Sequence, residues 1–206
     1  MKEPLIVLTG PTASGKTALS IELAKAIGGE IISADSMQVY RQMDIGTAKI
    51  RPEEMEGIPH YLVDVLEPDD PFNVVVFQQM AKAAMKKIRE NGHIPIIVGG
   101  TGFYIQAILN DIDFKENEDD GYRSHLEVMA ASDGGPERLY EMLKEVDPGS
   151  TEKIHCHNTK RVIRALEYFH QTGQKISEHN EQESGKESPY NFAYFVLNRP
   201  REVLYE

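Results

Sequence analysis

Apolar positions in the first half of the chain form short unbroken runs and longer runs of helical period, and the two kinds alternate. Leu5-Ile6-Val7-Leu8-Thr9 is a continuous run that ends in glycine, the pattern of a parallel strand buried on both faces. From about Gly15 to Ile27, the apolar residues Ala18, Leu19, Ile21, Leu23, Ala24 and Ile27 predict a helix, with Gly28-Gly29 as its stop. Glu30–Ser33 predicts a second strand and Tyr61–Val65 another. Asn73 stands where it would cap a helix reaching Glu90, closed by Asn91-Gly92. Ile94–Val98 predicts the next strand, and Pro95 lies near its start, where a missing backbone donor is tolerated. This alternation predicts a three-layer α/β domain with a mostly parallel sheet and right-handed crossovers.

After about Asp111 the pattern changes. An acidic stretch, Glu116–Asp120, precedes helix-like segments at Tyr122–Ala131, Pro136–Glu145 and Asn158–Gln171. Ser177–Pro189 is polar and without period, which predicts an exposed loop, and Asn191–Leu197 returns to strand character. The predicted organisation is an α/β core over 1–111, a helical insertion over 112–189 and a return to the core over 190–206. A helix opens at Pro200–Tyr205 and is unfinished at Glu206, so the sequence reads as part of a longer chain. No repeat of solenoid period is visible.

Composition narrows the function classes. With 206 residues, 40% hydrophobic and 27% charged, the chain can bury one substantial core and carry a smaller lobe. No apolar run approaches the ~18 residues of a membrane span, and the N-terminus lacks the ordered segments of an export signal. The single cysteine, Cys156, excludes an intramolecular disulfide framework, and together these features predict a cytoplasmic protein. A net charge of −11 opposes nucleic-acid attraction by the whole surface, so any such contact must rest on basic residues gathered on one face.

Gly10-Pro11-Thr12-Ala13-Ser14-Gly15-Lys16-Thr17 matches the Walker A pattern in full and lies between the first predicted strand and helix. Successive amides at a helix N-terminus wrap a phosphate, Lys16 adds a mobile positive charge, and the Thr17 hydroxyl is suited to complete the octahedral shell of Mg²⁺. The fold class is therefore α/β, a P-loop NTPase-like three-layer domain with a helical insertion. Loops that follow parallel strands converge on one crevice, which brings Ala34–Gln38 and Gly99–Gly102 beside the P-loop. Asp35 is thereby a candidate general base or metal-supporting group, and equally an aspartate that caps a turn. Where many P-loop hydrolases put a metal-directing Asp this chain has Gly99, and Asn158-Thr159-Lys160-Arg161 lacks the aspartate of a guanine-reading sequence. Gly99-Gly100-Thr101-Gly102 would let a flat group or a backbone approach closely, with Thr101 offering a hydroxyl. Lys160, Arg161 and Arg164 are candidates for phosphate contact, 161 and 164 sharing a helix face, and Arg123 is a further one. His155-Cys156-His157 is set aside as a metal site, because adjacent ligands diverge and no fourth is evident.

Five segments together resemble the tRNA dimethylallyltransferase family, also called tRNA isopentenyltransferases. They are Gly10–Thr17, Asp35-Ser36-x-Gln38-Val39-Tyr40, Met43-Asp44-Ile45-Gly46-Thr47-Ala48-Lys49, Gly99-Gly100-Thr101, and Asn158-x-x-Arg161-x-x-Arg164-Ala165-Leu166-Glu167. They span nearly all the chain, and the Asp44–Lys49 run is more distinctive than the P-loop. The resemblance implies that Gly10–Thr17 binds the diphosphate of dimethylallyl diphosphate, with Mg²⁺ at Thr17. It implies that the acceptor is the exocyclic amine of the adenine immediately 3′ of the tRNA anticodon, that Asp35 is the general base, and that Lys16 and Thr101 complete the catalytic set. The tRNA contacts it implies are Asp35, Ser36, Met37, Gln38, Thr101, Arg123, Lys160, Arg161, Val162, Ile163 and Arg164, the insertion gripping the anticodon stem. Two departures stand out: His157 follows Cys156 where the family commonly has His-Pro, and the family's C-terminal third is missing. A monomer is expected. The competing readings are an ATP-dependent small-molecule kinase, which the P-loop and Asp35 would serve equally, and a non-catalytic RNA-binding module with the P-loop as a nucleotide switch.

Overall fold

The structure, a computed structural model, describes residues 2–114 and 120–198. Residues 116–119 of the acidic stretch and the Pro200–Tyr205 segment lie outside the described residues. The chain divides into two compact units, one of Met1–Ile112 with Glu187–Glu206, the other of Asp113–Lys186.

The first unit contains, in chain order, β1 (Glu3–Thr9), α1 (Lys16–Ile27), β2 (Gly29–Ser33), β3 (His60–Tyr61), α2 (Val74–Glu90), β4 (Ile94–Gly99), α3 (Gly102–Leu109) and, after the second unit, β5 (Tyr190–Val196). The sheet order is β3-β2-β4-β1-β5, and every pair is parallel. Alternation along each strand gives the sheet two apolar faces. Ile31 and Ile96 pack with Ile21 and Ala24 of α1, while Leu5, Val7, Ile32 and Ile97 pack with α2 and α3 through Phe77, Met85, Ile88, Ile105 and Ile108. Helices on both faces make the three layers that the alternation predicts. The Asn73 side chain caps α2 by accepting from the amides of Val75 and Val76 at 2.9 and 3.1 Å. Pro95 pairs in register with Glu30 of β2, and the ladder between β4 and β1 starts only at Ile96, so the proline interrupts little.

Two expectations change. The strand expected at Tyr61–Val65 is only His60–Tyr61, because Leu62 and Asp64 take left-handed φ of 62° and 54° and leave the ladder. The amides of Asp64, Val65 and Leu66 donate instead to the carbonyls of Gln38 and Val39, at 3.1, 2.9 and 3.1 Å. Helix α3 follows directly on the glycine-rich turn after β4, in a stretch for which no element was expected. The segment expected as a loop from Ser177 carries a helix, described next.

The second unit holds α4 (Tyr122–Ala130), α5 (Gly135–Val146), the single turn α6 (Pro148–Thr151), α7 (Thr159–Thr172) and α8 (Ile176–Ser184). Its core is Leu126, Leu139, Leu143, Val162, Ile163, Ala165 and Leu166. Each of these Leu, Val and Ile side chains, fully buried, contributes roughly 1.5–3 kcal/mol. Helix α8 forms despite its polar sequence because buried Asp147 accepts from both the amide and the hydroxyl of Ser177, at 3.0 and 2.5 Å, and fixes its first turn.

Candidate active site

The P-loop joins β1 to α1 through backbone that an ordinary residue would not tolerate. A Cβ on Gly10, at φ +148°, would stand 2.3 Å from the carbonyl oxygen of Leu197, whose amide donates to Thr9 O at 2.8 Å. Ala13 holds φ 65°, a left-handed conformation that costs a non-glycine residue roughly 1–2 kcal/mol. Ser14 is 1% exposed and its hydroxyl has no hydrogen-bond partner among the described residues. A buried polar group left so costs roughly 1–3 kcal/mol, which a phosphate oxygen would relieve. The Lys16 ammonium donates to the carbonyls of Gly10 at 2.9 Å and Pro11 at 2.6 Å. Burial lowers its pKa below the ordinary lysine value, and the negative charge of Asp35 opposes that shift. Thr17, exposed on the first turn of α1, lines a small open cleft with Ser20, Ser33, Gln38 and His60.

The loops after β2 and β4 meet beside it. The Ala34 amide donates to Val98 O at 2.8 Å and the Thr101 amide to Ala34 O at 3.3 Å. A Cβ on Gly99 would lie 2.3 Å from Ala34 O, so this glycine admits a neighbouring backbone, the second of the two uses the sequence left open. Thr101 is half-buried at the N-terminal boundary of α3 and makes no side-chain cap bond there. Asp35 Oδ1 accepts from the amides of Met37 at 2.8 Å and Gln38 at 3.4 Å, while Oδ2 accepts from none of the described residues. Asp35 therefore caps its turn and keeps one oxygen for other work. Ser36 is half-buried and Met37 exposed. Gln38 accepts from Ser33 Oγ at 3.1 Å and donates to the carbonyls of Thr47 and Ala48 at 3.3 and 3.2 Å. Buried Tyr104 stacks on Phe77 at 4.5 Å, and burial first, then the charges of Tyr40 and Asp35, push its hydroxyl pKa up.

In the second unit, Arg123 and Arg164 both donate to Glu167 Oε2, at 3.2 and 2.9 Å, and Arg123 also pairs with Glu127 at 3.1 Å. Lys160 and Arg161 are exposed and pair with no carboxylate among the described residues. Val162 and Ile163 are 0% and 4% exposed, inside the helical core. The helical period turns these two side chains away from solvent and gives them a packing role.

The family model described as IPP transferase matches residues 38–206. The chain belongs to the IPP transferase family. It is 63% identical over 205 residues to a tRNA dimethylallyltransferase of Lachnoclostridium phytofermentans, covering 99% of this chain and 65% of that protein. A full-length tRNA isopentenylpyrophosphate transferase of Bacillus halodurans is 44% identical, with TM-score 0.65, over 99% of this chain and 63% of that one. A eukaryotic dimethylallyltransferase solved acting on tRNA is 32% identical, with TM-score 0.81, over 98% and 50%. The chain thus spans less than two thirds of the length of these relatives.

The IPP transferase match begins at Gln38, so it takes in Asp44–Lys49 and the loop after β4 but not the P-loop, which the longer pairwise matches cover. Sequence reasoning singled out Asp44–Lys49 as distinctive without giving it a role. Lys49 Nζ donates to Tyr40 O at 2.7 Å, Asp44 Oδ1 at 2.7 Å and Asp64 Oδ1 at 2.6 Å, and Thr47 Oγ1 donates to Met43 O at 2.7 Å. Asp64 and Tyr104 carried no sequence signal of their own.

Proposed function

We propose that the full-length protein transfers a dimethylallyl group from dimethylallyl diphosphate to the exocyclic amine of the adenine immediately 3′ of the anticodon in tRNA, releasing diphosphate. The observation that carries this reading is Asp35, anchored through one oxygen by the amides of Met37 and Gln38 and with its other oxygen uncommitted, in a side chain close enough to the P-loop lysine for its charge to act on the lysine's pKa. A diphosphate would be received by the P-loop amides, Ser14 Oγ and the Lys16 ammonium, donors suited to the charge that grows on the leaving group. The residues fit Mg²⁺ through the Thr17 hydroxyl together with diphosphate oxygens, since Mg²⁺ takes few protein ligands where phosphates supply the rest. When bound, the ion would neutralise part of the leaving group's charge.

The allylic C–O bond breaks with its electron pair passing to the diphosphate, the adenine nitrogen supplies the pair for the new C–N bond, and Asp35 Oδ2 takes the amine's proton. An adenine reaches such a site only when unstacked, which suits a single-stranded loop. Thr101 contacts that nucleotide, Ser36, Met37 and Gln38 line its approach, and Arg123, Lys160, Arg161 and Arg164 contact RNA phosphates. A cytoplasmic monomer goes with this reading. Incubation with an anticodon stem-loop and dimethylallyl diphosphate should add the mass of C5H8 to the RNA, and Asp35→Asn should prevent it at early times. Transfer of label from γ-labelled ATP to a small molecule, with no change in RNA mass, would favour a kinase instead.

A further inference from the structure

We propose that Lys49 is a positioning residue for Asp35, an assignment that rests on the prenyl-transfer reading above. Its side chain is 4% exposed, yet its ammonium is fully used, with one donor for each of Tyr40 O, Asp44 Oδ1 and Asp64 Oδ1. Burial alone would lower its pKa, but the two carboxylates outweigh that and keep the charge in place. Stability is a weak account of this arrangement. The carboxylates are 67% and 49% exposed, and ion pairs to such partners contribute ~0–1 kcal/mol while the lysine's own desolvation works against them.

The origin of the three oxygens gives a better account. Tyr40 closes the turn that Asp35 opens, its amide donating to Met37 O at 3.3 Å. Asp64 belongs to the segment whose amides run along Gln38 and Val39, with Asp64 N on Gln38 O at 3.1 Å. Asp44 opens the loop whose carbonyls at Thr47 and Ala48 hold the Gln38 side chain. Lys49 thus ties the turn of residues 37–40, through Tyr40, to the two segments beside it, and the amides of 37 and 38 fix Asp35 Oδ1. Without the ammonium, two carboxylates lose their common counter-charge and the Tyr40 carbonyl its donor. The turn is then free to rotate, and Oδ2 loses its direction. A displacement of about 1 Å at a reacting group is enough to cost ~10²-fold in rate.

The test is a double-mutant cycle on the full-length protein, reading single-turnover prenyl transfer to an anticodon stem-loop. Lys49→Met should lower the transfer rate ~10–100-fold, while stem-loop and dimethylallyl diphosphate affinities stay within about threefold. In an Asp35→Asn background the same change should cost less than about threefold, because the group it positions is already gone. An equal loss in both backgrounds, or a lower thermal midpoint with an unaltered transfer rate, would overturn the assignment. If Lys49→Met does not unfold cooperatively, Asp64→Asn goes through the same cycle, with an expected loss of ~3–10-fold in the parent background and little in the other. A parent protein that transfers no prenyl group overturns the functional reading and the positioning role with it; an active parent tests the role alone.

Discussion

Asp35 at the end of β2 and Asp147 at the end of α5 both accept hydrogen bonds from main-chain amides of the turn that follows, but only Asp147 has both oxygens occupied. Asp147 is fully buried, with Oδ1 taken by Ser150 N at 3.2 Å and Ser177 Oγ at 2.5 Å, and Oδ2 by Ser150 Oγ at 2.6 Å and Ser177 N at 3.0 Å. Asp35 is half-buried, and both its donors, Met37 N and Gln38 N, lie on Oδ1. A carboxylate saturated on both oxygens has nothing left to offer a substrate, and its value is to hold chain segments together. One saturated on a single oxygen is both oriented and available. What separates a structural aspartate from a candidate base here is therefore how the donors divide between its two oxygens.

The sharpest way to break that contrast is to remove the proton-accepting capacity of each in turn. Asp35→Asn should lower single-turnover transfer by ~10²–10⁴-fold with stem-loop affinity and thermal midpoint nearly unchanged. A defect restored by excess Mg²⁺ would count against a base and for a metal-supporting role. Asp147→Ala should do the reverse, costing about 3 kcal/mol in denaturant unfolding by stranding the Ser150 hydroxyl and the Ser177 amide and hydroxyl, with diphosphate affinity intact. A cost below about 1 kcal/mol would make Asp147 dispensable.

A smaller effect follows from acidity. Burial pushes the Asp147 carboxyl up, but hydrogen bonds from Ser150 and Ser177 outweigh it and hold the pKa below the ordinary 3.8. Its ionic contribution is then complete above that pH and is lost as pH falls through the folded-state value, so the gap between the parent and Asp147→Ala should narrow below pH 3.8. The smallest effect concerns unit two's charges. Arg161→Ala should reduce the log–log salt slope of RNA binding by about one, and Arg164→Ala by less, because Glu167 already engages it. An unchanged slope for Arg161 removes it from the interface.

Local chemistry made much of the α/β unit legible. The run Leu5–Thr9, the glycine-rich loop and the cap at Asn73 each act within a few residues, and β1, α1 and α2 stand where those signals put them. The failures share a non-local cause. Tyr61–Val65 has strand composition, but pairing with Gln38 and Val39 decides its backbone. Ser177 begins a helix because Asp147, thirty residues earlier, receives it. At the candidate site, the place of Asp35 follows from its position just past a strand, whereas Lys49 acquires meaning only when Tyr40, Asp44 and Asp64 converge on it. Val162 and Ile163, named among the tRNA contacts that the resemblance implies, have side chains turned into the helical core.

The lysine of the P-loop has a calorimetric consequence. Its ammonium donates to the Gly10 and Pro11 carbonyls, so a diphosphate that recruits it must exchange one set of charge-assisted bonds for another, and the binding enthalpy is only their difference. Burial has also weakened the lysine's hold on its proton, which the anion would strengthen. Titrations of diphosphate into the protein should therefore draw protons from the medium in alkaline solution, with observed heats that track the ionisation enthalpy of the buffer. That dependence should fade as the pH is lowered.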